Sequence, residues 1–119
     1  MITRGLIIRQ PWIGLILIGE KIWEMRSRPT KIRGRIALIE QGTGLIVGEC
    51  EIVSSGKALQ EWEKESYKSL HKVEDLSLLE KWCYPWEIGS VKKYKTPFSY
   101  NHPKGAVTWV NIENVKGLP

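Results

Sequence analysis

Hydrophobic residues recur along the chain with two different spacings, and the change between them predicts the order of secondary structure elements. Short apolar runs rich in β-branched residues, or alternating with a period of two, are typical of strands. Such runs occupy residues 5–9, 22–28, 35–41, 45–54, 86–94 and 105–112. Helical spacing is found at residues 11–18, 57–70 and 77–83. The pattern therefore predicts about six strands and three helices.

The three predicted helices differ in how they should sit in the fold. Pro11 favours the first position of a helix, where its missing N–H would have no partner, and Gly19 fits the C-terminal cap. This first helix is apolar on nearly every side, so we expect it to be buried on most of them. The second should be an outer helix with a narrow apolar stripe that includes Trp62. Ser77 and Glu80 have the spacing of a capping box, which begins the third helix.

Strands and helices do not alternate regularly, as a doubly wound α/β fold would require. We therefore predict an α+β fold: a small, mostly antiparallel β-barrel or curved sheet with the helices packed beside it. Gly48, inside the fourth predicted strand, indicates a bulge or a close approach of two backbones. A length of 119 residues suits one compact domain, so we assign residues 1–119 to a single domain.

Composition and residue spacing exclude several classes of protein. The longest apolar run, residues 13–18, is far shorter than the roughly 20 residues that cross a bilayer, so we expect no membrane partner and a cytoplasmic location. Cys50 and Cys83 lack C-x-x-C spacing and are interpreted as reduced thiols. His71 and His102 lack the spacing of metal ligands, so we expect no metal and no cofactor. We also expect a monomer.

The net charge of +5 is unevenly distributed. Residues 1–35 hold all six arginines, with eight basic residues against two acidic ones. Residues 36–87 hold five basic residues against ten acidic ones, and residues 88–119 hold five against one. If the two basic ends are neighbours in the fold, they form one positive face suited to phosphates, whereas a solvated surface of mixed charge is the alternative. The predicted members of this face are Lys31, Arg33, Arg35, Lys92, Lys93 and Lys95.

One short segment combines charge of both signs with a position next to the core. Residues 19–26 have the spacing G-x-K-x-x-E-x-R directly after the first predicted helix. A period of two places Glu24, Arg26 and Arg28 on one face of the second strand. Lys21 and the arginines suit phosphate or a base edge, and Glu24 suits the exocyclic amine of a base. The alternative is an internal ion pair of Glu24 with Arg26 or Lys21.

Aromatic residues meet a second requirement of base recognition, because a ring can stack on the face of any base. The candidates are Trp12, Trp23, Trp86 and Tyr100, although most of the six tryptophans should fill the core. Tyr94 lies within the run Lys92-Lys93-Tyr94-Lys95, which suits either contact with a nucleic-acid backbone or an edge strand protected by lysines.

Several segments, in this order, resemble the ASCH domain, the activating signal cointegrator homology domain of the PUA-like superfamily. They are Gln10-Pro11-Trp12, the motif at 19–26, Arg33-Gly34-Arg35, Gly48-Glu49-Cys50-Glu51, the strand at 105–110 and the closing Leu118-Pro119 pair. The resemblance covers nearly the whole chain. It implies a β-barrel with a cleft between barrel and helices, and a role in binding RNA or nucleotides. The implied pocket contains Lys21, Glu24 and Arg26, with Gln10 and Trp12 at its edge.

One branch of the ASCH family hydrolyses the amide of acetylated cytidine, and the resemblance to that branch is partial. The catalytic residues that the resemblance implies for that branch are a lysine at the position of Lys21, a threonine at the position of Glu24, and a glutamate in the helix before a Tyr-Pro pair. Here Glu74, Asp75 or Glu80 would supply the carboxylate, but Glu24 replaces the threonine. A nearby carboxylate favours the charged form of Lys21, which argues against that lysine as base or nucleophile. Other family members are described as ribonucleases.

Three functions follow from these observations. The leading interpretation is a binding module for RNA or a modified nucleotide, with DNA as an alternative ligand. The second is a small hydrolase that acts on a modified nucleoside or on single-stranded RNA, with Lys21 as the catalytic group. The third is a protein-interaction module that uses the acidic middle helices.

Overall fold

The computed structural model describes residues 2–118, so Met1 and the Pro119 of the closing pair lie outside the described residues. The strands are β1 (Arg4–Ile8), β2 (Trp23–Arg26), β3 (Gly34–Glu40), β4 (Leu45–Ser55), β5 (Tyr84–Ser99) and β6 (Trp109–Asn111). The helices are α1 (Trp12–Leu17), α2 (Glu61–Ser66), α3 (Lys68–His71) and a short 3-10 helix (Leu76–Glu80). The predicted α+β class is confirmed.

The strands form one mixed sheet in the order β2-β5-β4-β3-β1-β6. Strands β1 and β3 make the one parallel pair among the described strands, and the remaining pairs are antiparallel. The sheet curls into a half-barrel, which matches the mostly antiparallel barrel-like fold that the sequence predicts. Because β1 pairs with β6, the two basic ends of the chain are neighbours.

The edge strands of the sheet are β2 and β6, and the short β6 pairs with Arg4–Leu6 of β1. Beyond this pairing, a side chain bridges the gap between the end of β1 and β2. The Nη2 of Arg26 in β2 donates a hydrogen bond of 2.8 Å to the carbonyl oxygen of Ile7 in β1. The N–H of the same residue, Ile7, donates to the carbonyl of Thr108 just before β6. We call the gap between β1 and β2 the seam.

Three apolar clusters fill the interior. The largest packs α1, through Ile13 and Ile16, against sheet residues that include Leu6, Leu38 and Ile52. A second cluster lies beneath β6 and the far end of β5. The third packs the residues that flank α2 and α3, together with the 3-10 helix, against β2, and its buried members are Met25, Leu59, Val73 and Leu79. This third cluster places the helices beside the seam.

Helix α1 is less buried than its composition predicts. Of its six residues, only Ile13 and Ile16 are buried, and Ile18 at its C-terminal cap is 63% exposed. The expectation of burial on most sides is therefore wrong, because only one face of this short helix meets the sheet. The predicted role of Gly19 fits: it follows the cap with a φ of +83°, a conformation that glycine adopts without strain.

The helix predicted over residues 57–70 is shorter and broken. The N–H groups of Gly56 and Leu59 donate to the carbonyls of Pro85 and Cys83, which holds this segment extended beside β5. The helix begins only after Gln60, where a capping box with Glu63 forms, and it breaks at Tyr67 into α2 and α3. The predicted apolar stripe is also wrong at Trp62, which is 61% exposed.

Gly48 lies where two backbones approach closely, as the sequence predicts. The register of the β4–β5 pairing shifts between Ile46 and Gly48. A methyl group on Gly48 would lie 2.6 Å from the carbonyl oxygen of Lys92 and 2.8 Å from Cδ2 of Leu17. Glycine is therefore required here by the lack of space and not by its φ angle.

Gly48→Ala is expected to lower the free energy of unfolding by about 1 to 3 kcal/mol, because the backbone of β5 must move to admit the methyl group. Urea denaturation measures the change. The matched control is Gly89→Ala, whose methyl would meet only the exposed side chain of Val53 at 3.1 Å. Equal losses in the two variants would contradict the steric explanation.

No helix among residues 2–118 has the length and apolar character that a membrane span requires. The two cysteines are free; Cys50 is buried in the largest apolar cluster and Cys83 is partly exposed.

Candidate functional site

A cavity of about 150 Å³ lies at the seam and brings the motif residues together. Lys21, Glu24 and Arg26 all line it, and so does Trp12 from α1. Strand β1 contributes its last residues, and the segment around the 3-10 helix closes the opposite side. The apolar part of the wall consists of Ile7, Ile8, Met25, Val73, Leu78 and Leu79. Polar groups thus converge in a largely apolar cavity, which is the usual character of a ligand site.

Lys21 reaches the cavity from the turn that ends α1. The N–H groups of Glu20 and Lys21 both donate to the carbonyl of Leu15, which fixes the turn. The side chain of Lys21 is 1% exposed, and its Nζ donates a hydrogen bond to the carbonyl oxygen of His71 at the end of α3. A lysine so deeply buried is rare in folded proteins unless it is paired.

Burial lowers the pKa of Lys21 from its usual 10.5 to about 8. Two neighbouring charges act more weakly: the Glu24 carboxylate raises the pKa and the Arg26 guanidinium lowers it. The effect of Glu24 thus has the direction that the sequence argument gives it, but the loss of hydration on burial outweighs the attraction between the two charges. Near pH 8 this lysine can both donate and accept a proton.

His71 fixes the carbonyl that holds Lys21. Its side chain is fully buried, its Nε2 lies 2.7 Å from the carbonyl oxygen of Lys64, and its Nδ1 accepts a hydrogen bond of 2.9 Å from the N–H of Val73. An Nδ1 that accepts is unprotonated, so this ring is neutral with its proton on Nε2. Burial lowers the pKa of His71, and the Lys64 carbonyl opposes this effect.

Glu24 and Arg26 point to the same side of β2, as the period of two predicts, and they form an ion pair. The Nε of Arg26 donates to Oε2 of Glu24 over 2.9 Å, and the guanidinium lies 5.6 Å from the ring centroid of Trp86. Glu24 is only 6% exposed. Among the described residues its hydrogen bonds engage Oε2, which leaves Oε1 for the cavity. The predicted alternative of an internal ion pair is thus present at Arg26, whereas Lys21 is bound to His71 instead.

The rim of the cavity carries a cation, an amide and an apolar side chain. The guanidinium of Arg9 lies 5.7 Å from the ring centroid of Trp12, and both residues line the cavity. Gln41 follows β3 and Trp82 follows the 3-10 helix, and each lines the cavity. Val107 lines it as well although it is 78% exposed, which places it at the mouth.

Two predicted ligand residues lie away from this cavity. Gln10 is exposed; its Oε1 accepts from the N–H of Gly14 and its Nε2 donates to Glu40. Arg28 is exposed beyond the end of β2, and its carbonyl accepts from the indole N–H of Trp86. The structure brings neither side chain to the cavity wall, because β2 ends at Arg26 and Gln10 turns toward the start of α1.

The three predicted catalytic carboxylates are exposed, and none of them lines the cavity. Glu74 pairs with Lys68 at 3.0 Å, and Asp75 accepts from the N–H of Ser77 at the start of the 3-10 helix. Glu80 ends that helix on its outer side. The structure therefore does not bring any of them to Lys21.

Five of the six residues predicted for the basic face are exposed, and one is held internally. Arg35 binds the buried carboxylate of Glu49, with Nε and Oε2 2.9 Å apart, and it also donates to the carbonyl of Ser90. Tyr94 is buried and donates to Glu49, so it does not share the surface of its neighbouring lysines. The exposed five are Lys31, Arg33, Lys92, Lys93 and Lys95.

The four aromatic candidates occupy different environments. Trp12 lines the cavity. Trp86 is buried and stacks on Trp109 with ring centroids 6.0 Å apart, so it belongs to the core. Tyr100 is partly buried, with its hydroxyl 2.8 Å from the Nδ1 of His102. Trp23 lies outside the cavity, against Tyr67.

Sequence reasoning missed several lining residues. Arg9 has the clearest signal, since it directly precedes the Gln-Pro-Trp segment. Trp82, Gln41 and Val107 carry no local signal, because each reaches the cavity only through the pairing of distant segments. In the sequence, His71 stands outside any metal-binding motif and carries no signal of its contact with Lys21.

A family model and a solved structure that resemble this chain point to the same kind of domain. The family model of the ASCH domain matches residues 6–117. Among solved structures, the crystal structure of ASCH from Zymomonas mobilis matches with a TM-score of 0.62 at 10% sequence identity, over 76% of this chain and 68% of that chain. At this identity the likeness concerns the fold alone. No curated protein sequence matches the chain.

Proposed function

The chain belongs to the ASCH domain family, and from this premise we propose that it is an RNA- or modified-nucleotide-binding domain whose ligand site is the cavity at the seam. The observation that carries the proposal is the convergence of Lys21, Glu24 and Arg26 with an aromatic wall in one small, mainly apolar cavity. We further propose that residues 1–119 act as a single domain, as a monomer, in the cytoplasm.

The size and chemistry of the cavity favour a base as the buried part of the ligand. A dry cavity of about 150 Å³ accommodates a ring of the size of benzene. Oε1 of Glu24 can accept from an exocyclic amine, and Nζ of Lys21 can donate to a ring nitrogen or carbonyl. Lys21 is too deeply buried to meet a phosphate outside the cavity. Arg26 acts by holding Glu24 in place, since its guanidinium is already engaged.

The phosphate of the ligand is then left near the mouth, where Arg9 is the lining cation. In RNA, the neighbouring phosphates would follow the exposed cations of the basic face, Lys31, Arg33, Lys92, Lys93 and Lys95. Contacts of this kind make affinity fall as salt rises. RNA is favoured over DNA on the family premise, and DNA oligonucleotides belong in the same binding panel.

Lys21→Met is expected to weaken binding of nucleoside monophosphates or single-stranded RNA by at least about 10-fold, because a hydrogen bond to a charged group contributes about 1.5 kcal/mol or more. Glu24→Gln should weaken ligands with an exocyclic amine more than those without one. Isothermal titration with a panel of nucleotides measures both effects, and crystals soaked with the same panel locate the base.

The matched control is Lys64→Met, because Lys64 is also a buried lysine but lies on α2 and does not line the cavity. Its affinity for nucleotides should equal that of the parent. Unchanged affinity in Lys21→Met and Glu24→Gln would remove the cavity as the ligand site. Circular dichroism verifies that each variant is folded before its affinity is compared.

A second candidate function is hydrolysis of a modified nucleoside or of RNA, and the lowered pKa of Lys21 favours it. A lysine that is partly neutral near pH 8 is suited to act as a general base or a nucleophile. Turnover of acylated cytidines or single-stranded RNA should then rise with pH through about 8 and vanish in Lys21→Ala. Turnover that persists in that variant would rule out the assignment.

A further inference from the structure

Two of the six tryptophans differ from the others in what lies over their rings. Four have a cation of this chain within 6 Å of the ring centroid, namely Trp12 with Arg9, Trp82 with Lys81, Trp86 with Arg26 and Trp109 with Arg4. Trp23 and Trp62 have no such cation among the described residues. Both of these tryptophans pack against the ring of Tyr67.

Tyr67 joins the two tryptophans into one continuous surface. Its ring centroid lies 5.1 Å from that of Trp23 and 6.3 Å from that of Trp62. We call these three residues the aromatic row. Trp62 is 61% exposed, and its only polar atom, the indole N–H, already donates to Oε1 of Gln60 at 2.9 Å. The row therefore presents fixed, apolar ring surface to solvent.

A groove continues the row beside Trp23. Pro85 and Leu59 form its apolar wall, with Gln60 and Glu63 on the α2 side. This groove is separate from the cavity at the seam, and the two share no lining residue. A ligand of the row would thus leave the nucleotide site free.

The charge around the row is negative. Helix α2 carries Glu61, Glu63 and Glu65, against the exposed Lys57 at the groove. Lys68, directly after Tyr67, is neutralised by Glu74 at 3.0 Å. The remaining cation of α2, Lys64, is buried and bound to Glu61 at 2.5 Å, so it does not offset the outer surface. Phosphates are repelled by such a surface, whereas a lysine or arginine is attracted to it and can lie over an aromatic ring.

We propose that the aromatic row and its groove form a docking site for an extended basic segment of a partner protein, whose arginine or lysine side chains lie over Trp62 and Trp23. The row supplies the ring faces that the cations of the described residues leave uncovered. Glu63 pairs with a cation of the partner segment where that segment lies in the groove. Tryptophan and tyrosine are the residues that most often dominate protein interfaces. The site adds a protein partner to a domain whose proposed ligand is a nucleotide.

The test uses the full chain and three probes: an arginine-containing extended peptide, the same peptide with each arginine replaced by glutamine, and single-stranded RNA. The arginine peptide should bind, and Trp62→Ala should weaken it at least about 10-fold. Glu63→Gln keeps the capping box, because glutamine also serves at that position, yet removes the charge and should weaken binding several-fold. Titration followed by tryptophan fluorescence measures these affinities.

The control is Ile18→Ser, because Ile18 is exposed to the same extent as Trp62 but lies on α1. It should bind the peptide as the parent does. The proposal is overturned if no peptide binds, if the glutamine peptide binds as tightly as the arginine peptide, or if Trp62→Ala leaves peptide affinity unchanged. Loss of RNA binding in Trp62→Ala would assign the row to nucleic acid instead. RNA binding that depends on Lys21 is measured separately, so the two proposals fail independently.

Discussion

Arg26→Met is expected to lower the free energy of unfolding by about 3 to 5 kcal/mol, because it leaves a buried carboxylate without its partner. Glu24 is 6% exposed and accepts its hydrogen bond from Arg26. The same guanidinium satisfies the carbonyl of Ile7 across the seam, so the variant also opens the edge of the half-barrel. Urea denaturation of the parent and the variant measures the loss.

The double variant Glu24→Leu/Arg26→Met separates the cost of an unpaired charge from the loss of side-chain packing. Replacing both members of a buried ion pair by apolar residues is often neutral, so the double variant should recover most of the lost stability. A single variant that costs under about 1 kcal/mol would show that the Glu24 carboxylate reaches solvent without penalty once Arg26 is removed. That result would contradict the role of Arg26 in closing the seam.

Lys21 is expected to make stability depend on pH, by about 3 kcal/mol in total. Its pKa is about 8 in the folded protein and 10.5 when exposed. Below pH 8 the lysine is charged in both states, and its burial costs the full amount. Between these two values the unfolded state binds more protons, so stability from this group rises with pH. Above 10.5 the lysine is neutral in both states and the cost is gone.

The measurement compares the parent with Lys21→Met at several pH values. Between about pH 7 and about pH 9.5, the stability of the parent relative to the variant should rise by about 2 kcal/mol. Other groups titrate alike in both proteins and cancel in the difference. A difference that stays constant with pH would contradict the lowered pKa of Lys21.

These two predictions describe one property of the site. A buried ammonium and a buried ion pair at the seam lower stability compared with an apolar filling, and they leave donor and acceptor atoms facing a small cavity. Sites that bind ligands often have this character, because residues selected for function are not those that would stabilise the fold most. Ligand binding is therefore expected to stabilise the fold by an amount that rises with the logarithm of the ligand concentration divided by the dissociation constant.

The sequence alone predicted the fold class and the approximate positions of the six strands along the chain. Strand periodicity, glycine positions and proline positions could indicate these because they act over a few residues. The same local reasoning placed Glu24 and Arg26 side by side on β2 and a close backbone approach at Gly48. The order of the motif segments indicated the ASCH family, which the match over residues 6–117 confirms. The predicted start of the second helix is wrong at residues 57–60, because hydrogen bonds to the segment at the start of β5 hold these residues extended.

Only the tertiary structure decided which charged groups meet and which rings stay exposed. The Nζ of Lys21 binds a carbonyl 50 residues further along the chain, and Arg26 reaches Ile7 across the seam. The pKa of Lys21 follows from that burial, which no local spacing encodes. Trp62, which the helical pattern placed on the apolar stripe, is 61% exposed, whereas Lys64 and His71 are buried. Local patterns set backbone conformation, whereas burial and pairing depend on segments that only folding brings together.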